Sequence, residues 1–135
     1  MGKATREIIA TDQAPAAVGA YSQAVLVTGG RTLYTSGQVA LDPASGEMVG
    51  AGDVVEEAKQ VMKNLAAVLA AAEMDFSNVV RATIYLADIA DFGKVNEIYA
   101  SHFAGDPPAR ACVQAGALPK AARVEIDVVA VGDAG

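Results

Sequence analysis

Apolar residues recur every third or fourth position in two stretches of this chain and every second position in most of the others. From Asp53 to about Ala72, the residues Val54, Ala58, Val61, Leu65, Val68 and Ala72 fall on one face, which predicts an amphipathic helix. Its alanine-rich composition adds helix propensity. Asp53 stands where an N-cap belongs, and Glu56 three residues on gives a capping-box-like pair. A second helix is predicted behind Asp88, with Asp91 three residues on and Phe92, Val95, Tyr99 and Phe103 as its apolar stripe. Gly105-Asp106-Pro107-Pro108 ends that helix and forces the next element into an extended start.

The period of two predicts the strands. Val79 to Leu86 reads as a central strand, with Val80, Ala82, Ile84 and Leu86 on one face. Ala109 to Ala115 puts Arg110, Cys112 and Gln114 on one face, and Val124 to Val131 does the same for Val124, Ile126, Val128 and Ala130. Nearer the N-terminus, Ile8 and Ile9 mark a short strand. Ala24–Val27 and Thr32–Thr35 flank Thr28-Gly29-Gly30-Arg31, which predicts a hairpin between them. Ser36-Gly37-Gln38 interrupts the second of these strands, where glycine permits a bulge or a close approach of backbone to another group. Leu118-Pro119-Lys120 reads as a turn. The order β-β-β-α-β-α-β-β places the chain in the α+β class, a mixed or mostly antiparallel sheet packed on two helices. Helices on one face leave the other free for a partner subunit.

Composition narrows what such a fold does. A length of 135 residues fits one domain spanning 1–135, and 53% apolar residues in so small a domain points to apolar surface closed by other subunits. Ten Lys and Arg against 16 Asp and Glu give a net charge of -6, and no three basic residues are consecutive, so no nucleic-acid partner is expected. A small anion remains compatible with one local basic pocket. The single cysteine, Cys112, rules out a disulfide framework within the chain and suits a reducing compartment. The longest apolar run, Leu65 to Ala72, is too short to span a bilayer, and the N-terminus lacks a signal-peptide pattern. Cytoplasmic residence without membrane association is the expectation.

Two residues stand out chemically. Arg110 opens a small, apolar strand right after Pro107-Pro108-Ala109. Its planar fork suits a carboxylate, and a structural ion pair or a solvated strand end is the alternative. Glu125 lies between Val124 and Ile126 in the most hydrophobic strand. A partly dry carboxylate there can act as acid or base, whereas Asp127 two residues on fits a solvent-facing row. Cys112 requires a neighbouring base to be a nucleophile, and the only histidine, His102, falls on the second helix near Tyr99, so a core role suits the cysteine better. Neither metal-ligand spacing nor a phosphate-binding glycine motif is present.

Taken in order, the blocks Ala14-Pro15, Gly19-Ala20-Tyr21-Ser22-Gln23-Ala24, Thr35-Ser36-Gly37-Gln38, Val95-Asn96-Glu97-Ile98-Tyr99, Pro108-Ala109-Arg110-Ala111-Cys112-Val113, Leu118-Pro119-Lys120 and Val124-Glu125-Ile126-Asp127 resemble the Rid family, also called the YjgF/UK114 family. The resemblance covers nearly the whole chain. It implies a chorismate-mutase-like homotrimer of α+β subunits with sites between neighbours. It also implies hydrolysis of small reactive 2-imino or enamino acids, such as 2-aminoacrylate, 2-iminopropanoate and 2-iminobutanoate, to 2-keto acids and ammonia, without a cofactor or metal. By the same resemblance Arg110 holds the substrate carboxylate and Glu125 positions or activates water. Tyr21 and Asn96 bind substrate, Ser36 and Gly37 line the cleft, and Cys112 contacts substrate through its main chain. One departure is Ala20, where the family commonly has proline before the tyrosine. Some relatives are described as endoribonucleases or translation inhibitors, and a ligand-sensing or chaperone-like trimer is a further alternative. The acidic charge and the single histidine disfavour the first, and Arg110 together with Glu125 favours an enzyme.

Overall fold

The computed structural model describes residues 2–134. Six strands and two α-helices follow in the expected order: β1 (Thr5–Ile9), β2 (Ala24–Thr28), β3 (Arg31–Tyr34), α1 (Val54–Ala71), β4 (Val79–Leu86), α2 (Phe92–Ala100), β5 (Ala109–Gln114) and β6 (Val124–Gly132), with short 3-10 turns at 76–78, 89–91 and 119–121. The main sheet has the strand order β3-β6-β4-β5. β4 runs antiparallel to β6 and parallel to β5. A parallel pair needs a crossover, and α2 supplies it between β4 and β5.

Alternation decides which face is covered. Ala82, Ile84 and Leu86 of β4 and Val124, Ile126, Val128 and Ala130 of β6 are buried, and they join Val61, Met62, Leu65 and Leu69 of α1 and Val95 and Tyr99 of α2 in one core. Truncating Leu65, which is fully buried, to alanine would remove about 2–5 kcal/mol of stability. No helix among the described residues is long and apolar enough to cross a membrane.

Four details differ from the sequence expectation. The hairpin at Thr28–Arg31 does not form: β2 pairs with β1, and β3 pairs with β6 from the far end of the chain. Gly29 and Gly30 both take positive φ (74° and 82°), so the chain turns there, but non-local pairing decides the strand partners. Within β4 a register shift between Val79 and Arg81 puts Val79, rather than Val80, in the core. On α1, Met62 and Leu69 are buried while Val68 and Ala72 are only half-buried, because the 3.6 period carries the stripe around the helix. Asp53 caps α1 by accepting from the Val55 and Glu56 N–H groups, but the Glu56 side chain pairs with Lys59 at 3.3 Å instead of closing the box.

Candidate active site

Arg110 sits on β5 opposite Ala82 of β4, and therefore on the helix-covered face. The start of α2 meets it there. Phe92, Asn96 and Tyr99 lie four and three residues apart on that helix and share one side. Arg110 Nη1 donates to Asn96 Oδ1 at 2.5 Å. Its guanidinium carbon lies 5.2 Å from the Tyr99 ring centre, 5.3 Å from Phe92 and 5.6 Å from Tyr21, all within cation–π range. No carboxylate lies within ion-pair distance of Arg110 among the described residues. The structural ion pair weighed against a ligand role is thus absent, and a half-buried cation faces rings and one amide oxygen.

Tyr21 reaches this cation because its loop is tied down beside it. Ser22, 7% exposed, donates from its hydroxyl to the Pro107 carbonyl and from its N–H to the Pro108 carbonyl at 3.2 Å. Gln23 accepts from the Thr11 N–H and donates to the Thr11 and Pro15 carbonyls, which gathers the small-residue loop in front of Tyr21. These bonds tie the Tyr21 loop to the strand start that bears Arg110.

Glu125 belongs to the other face. It pairs with Tyr85, and Asp127 pairs with Thr83, so this row alternates away from the core. Beyond β3 the chain continues along β6 through reciprocal Gln38–Ile126 backbone bonds of 2.8 and 3.1 Å. That places Gly37 against the Glu125 side chain, and a Cβ added at Gly37 would collide with the carboxylate. The interrupted strand of the sequence reading is a close approach of backbone to a charged group, and a side chain there would have to push the Glu125 carboxylate aside. Ser36, one residue earlier, is exposed. The Asp127 charge is the largest cause of a raised Tyr85 pKa, with burial and Glu125 adding to it.

Arg110 and Glu125 do not meet within one chain. They are two strands and three residues apart, roughly 14 Å between Cα atoms, with side chains on opposite faces of the sheet. Neither the cavity of about 510 Å³ beside Phe76 and His102 nor the one of about 850 Å³ beside Tyr21 is lined by either residue.

The remaining sequence candidates fall as follows. Cys112 follows Arg110 on the same face, pairs with Ile84 and packs against the core. Burial pushes its thiol pKa up while Arg110 pulls it down, and the net shift is upward, the reverse of an activated nucleophile. His102 packs tilted against Phe76 with ring centres 4.9 Å apart, and burial lowers its pKa. No group of three or more metal-ligating side chains forms among the described residues. Phe92 and Tyr99 entered the sequence reading only as apolar stripe residues. Their part in caging Arg110 had no separate signal. Glu57 was also missed, although an acid three residues after Val54 and one before Ala58, on the apolar side of the helix, is such a signal.

A small α+β protein in which an arginine with no carboxylate partner among the described residues sits in an aromatic cage, and a carboxylate packs on a glycine, defines a class of anion-binding candidates. The chain belongs to the Rid family: residues 11–132 match the family model described as Endoribonuclease L-PSP. It is 57% identical over 131 residues to the 2-iminobutanoate/2-iminopropanoate deaminase of Rattus norvegicus, covering 97% of this chain and 93% of the relative. The crystal structure of the Rid-family protein YyfB from Yersinia pestis superposes with a TM-score of 0.84 at 31% identity, covering 93% of this chain and 98% of that one. That of E. coli TdcF with bound serine gives a TM-score of 0.68 at 36% identity, covering 93% and 98%.

Proposed function

We infer that this protein is a hydrolase that deaminates small 2-imino acids to 2-keto acids and ammonia. The observation that carries this reading is the free charge of Arg110. A guanidinium held by Asn96 and three rings, with no carboxylate of its own among the described residues, is poised for a substrate carboxylate. The high identity to a deaminase of that specificity supports it.

The chemistry needs little else. C2 of an imino acid is already electrophilic. Arg110 fixes its orientation, and Tyr21 and Asn96 bound the same pocket. Water held by Glu125 adds to C2 of the protonated imine while Glu125 takes one water proton, which gives a neutral carbinolamine. Glu125 returns that proton to the nitrogen, and the C–N bond breaks as the hydroxyl oxygen closes the C=O and its proton leaves with ammonia as ammonium, leaving the 2-keto acid. Ser36 and Gly37 line the approach to Glu125, and the Cys112 main chain borders the carboxylate side.

Because Arg110 and Glu125 lie on opposite faces of one sheet, the reading requires a neighbour to bring them together. We place the site between subunits of a chorismate-mutase-like homotrimer of single-domain chains. The uncovered sheet face supports this: Tyr34 is 76% exposed and Val113 46%, and Val129 and Val131 share that face. Sedimentation equilibrium is expected to give three times the 13.7 kDa chain mass, and a monomer throughout the micromolar range contradicts the shared site. The function is tested by measuring 2-keto acid and ammonia release from freshly generated 2-aminoacrylate beside RNA turnover by the same preparation. Keto-acid release above the spontaneous rate without RNA cleavage is expected. RNA cleavage alone would turn the reading to a ribonuclease, against the net charge of -6.

A further inference from the structure

We infer that Glu57 is the positioning residue of the Glu125 half of the site, an inference that rests on the deaminase reading above. Glu57 is 0% exposed, and with Ser22 it makes up the buried polar side chains of the described residues. A buried carboxylate must be matched by donors. Here Oε1 accepts the Arg123 N–H at 2.8 Å and Oε2 accepts the Gly52 N–H at 3.3 Å. Helix capping does not explain it, since Asp53 already caps α1. The bond to Arg123 reaches across to the residue immediately before β6, two positions ahead of Glu125.

That point of the chain needs an anchor. Just upstream, Lys120 (φ 60°) and Ala121 (φ 54°) are consecutive non-glycine residues in the left-handed region, a conformation that persists only when its surroundings hold it. Three contacts do so: Ala122 N–H to the Pro119 carbonyl at 3.0 Å, Ala87 N–H to the Arg123 carbonyl at 3.0 Å, and the Glu57 carboxylate on the Arg123 N–H. The last is made by a fully buried side chain, and the partly exposed Arg123 guanidinium adds a 4.0 Å ion pair to Asp91. Arg123 and Glu125 lie two apart on an extended chain, so the height of Arg123 sets where the Glu125 carboxylate meets Gly37. Glu57 touches no reacting atom and acts through Arg123.

The test compares wild type, Glu57→Leu, Glu57→Gln and Glu57→Asp, below the lowest melting temperature of the set. Imine hydrolysis gives kcat, and calorimetry gives the affinity for the 2-keto acid held by Arg110. Glu57→Leu removes the acceptor, and kcat is expected to fall about 10- to 100-fold with keto-acid affinity within about twofold. Glu57→Gln keeps one oxygen for Arg123 and is expected to retain kcat within about threefold. Glu57→Asp, which withdraws the carboxylate by one methylene, stands in if the leucine variant does not fold, and its kcat is expected to lie below that of Glu57→Gln. Wild-type kcat in the folded Leu or Asp variant overturns the inference, as does an equal loss of kcat and keto-acid affinity. Amide exchange at Arg123 reads the clamp without catalysis, with about tenfold faster exchange expected in Glu57→Asp than in Glu57→Gln. If wild type hydrolyses no imine, the deaminase reading fails, and unchanged exchange separately overturns the clamp.

Discussion

The Arg110 half and the Glu125 half of the site are built by opposite means. Around Arg110, side chains do the holding: Asn96 accepts a hydrogen bond and Tyr21, Phe92 and Tyr99 surround the cation. Around Glu125, main chain is what is held: Gly37 supplies the seat, Gln38 pairs with Ile126, and the Arg123 N–H is gripped from behind by the Glu57 carboxylate. The difference suits the tasks proposed for the two residues. A carboxylate clamp needs a cation fixed in direction and shielded from competing partners, which rings and an amide provide without neutralising it. A group that positions water and moves protons must stay free of strong donors, so it is steered by its backbone instead.

Each half then breaks in its own way. Glu125→Gln keeps size and much of the hydrogen bonding but removes the base. It is expected to lower kcat by about 10²–10⁴-fold while 2-keto acid affinity stays near wild type, measured by ammonia-coupled kinetics and calorimetry with spontaneous hydrolysis subtracted. Equal hydrolysis rates in both proteins remove Glu125 from the reaction. Arg110→Lys keeps the charge and loses the fork. Keto-acid affinity is expected to weaken by about 10- to 100-fold, with the fold intact by circular dichroism. Unchanged binding and turnover make Arg110 structural.

Gly37→Ala sharpens the contrast, because it alters the Glu125 half without removing a charged group. The new methyl displaces the carboxylate, so kcat is expected to fall about 10-fold or more with keto-acid affinity retained. A matching loss of affinity would mean that Gly37 serves both halves. The smallest effect belongs to Tyr99, whose hydroxyl is buried without a hydrogen-bond partner among the described residues. Tyr99→Phe at neutral pH is expected to be stabilising or neutral within about 1 kcal/mol, read by denaturant unfolding. Burial pushes the Tyr99 pKa up from 10.0 to about 12, with Arg110 opposing. The unfolded chain therefore ionises first, and stability present below pH 10 is lost as pH rises toward 12, a loss that Tyr99→Phe lacks.

The same contrast explains what the sequence could disclose. Arg110 was legible because a lone cation in a small, apolar strand is out of place, and β4, α1 and α2 were legible because their periodicity is local and long. The pairing of β3 was not, since Gly29-Gly30 signals a turn whether or not the flanking strands meet, and β6 competes for β3 from the other end of the chain. Glu125 gave only an ambiguous alternation that its neighbour Asp127 shares. What distinguishes it is contact with Gly37, a tertiary fact that no local pattern encodes. The separation of Arg110 and Glu125 onto opposite faces likewise needs the parallel register of β4 and β5, which sequence period alone leaves open.

That separation gives the central claim: one subunit supplies Arg110 and a neighbour supplies Glu125. The direct measurement is subunit complementation. Arg110→Lys and Glu125→Gln proteins, each impaired alone, are unfolded together in equal amounts, refolded, and assayed for imine hydrolysis. If each site joins two subunits, random mixing leaves about a quarter of the sites with both native residues, and activity is expected to return to roughly 25% of wild type. A mixture no more active than the mean of its two parents contradicts the shared site and places both residues' work within one chain.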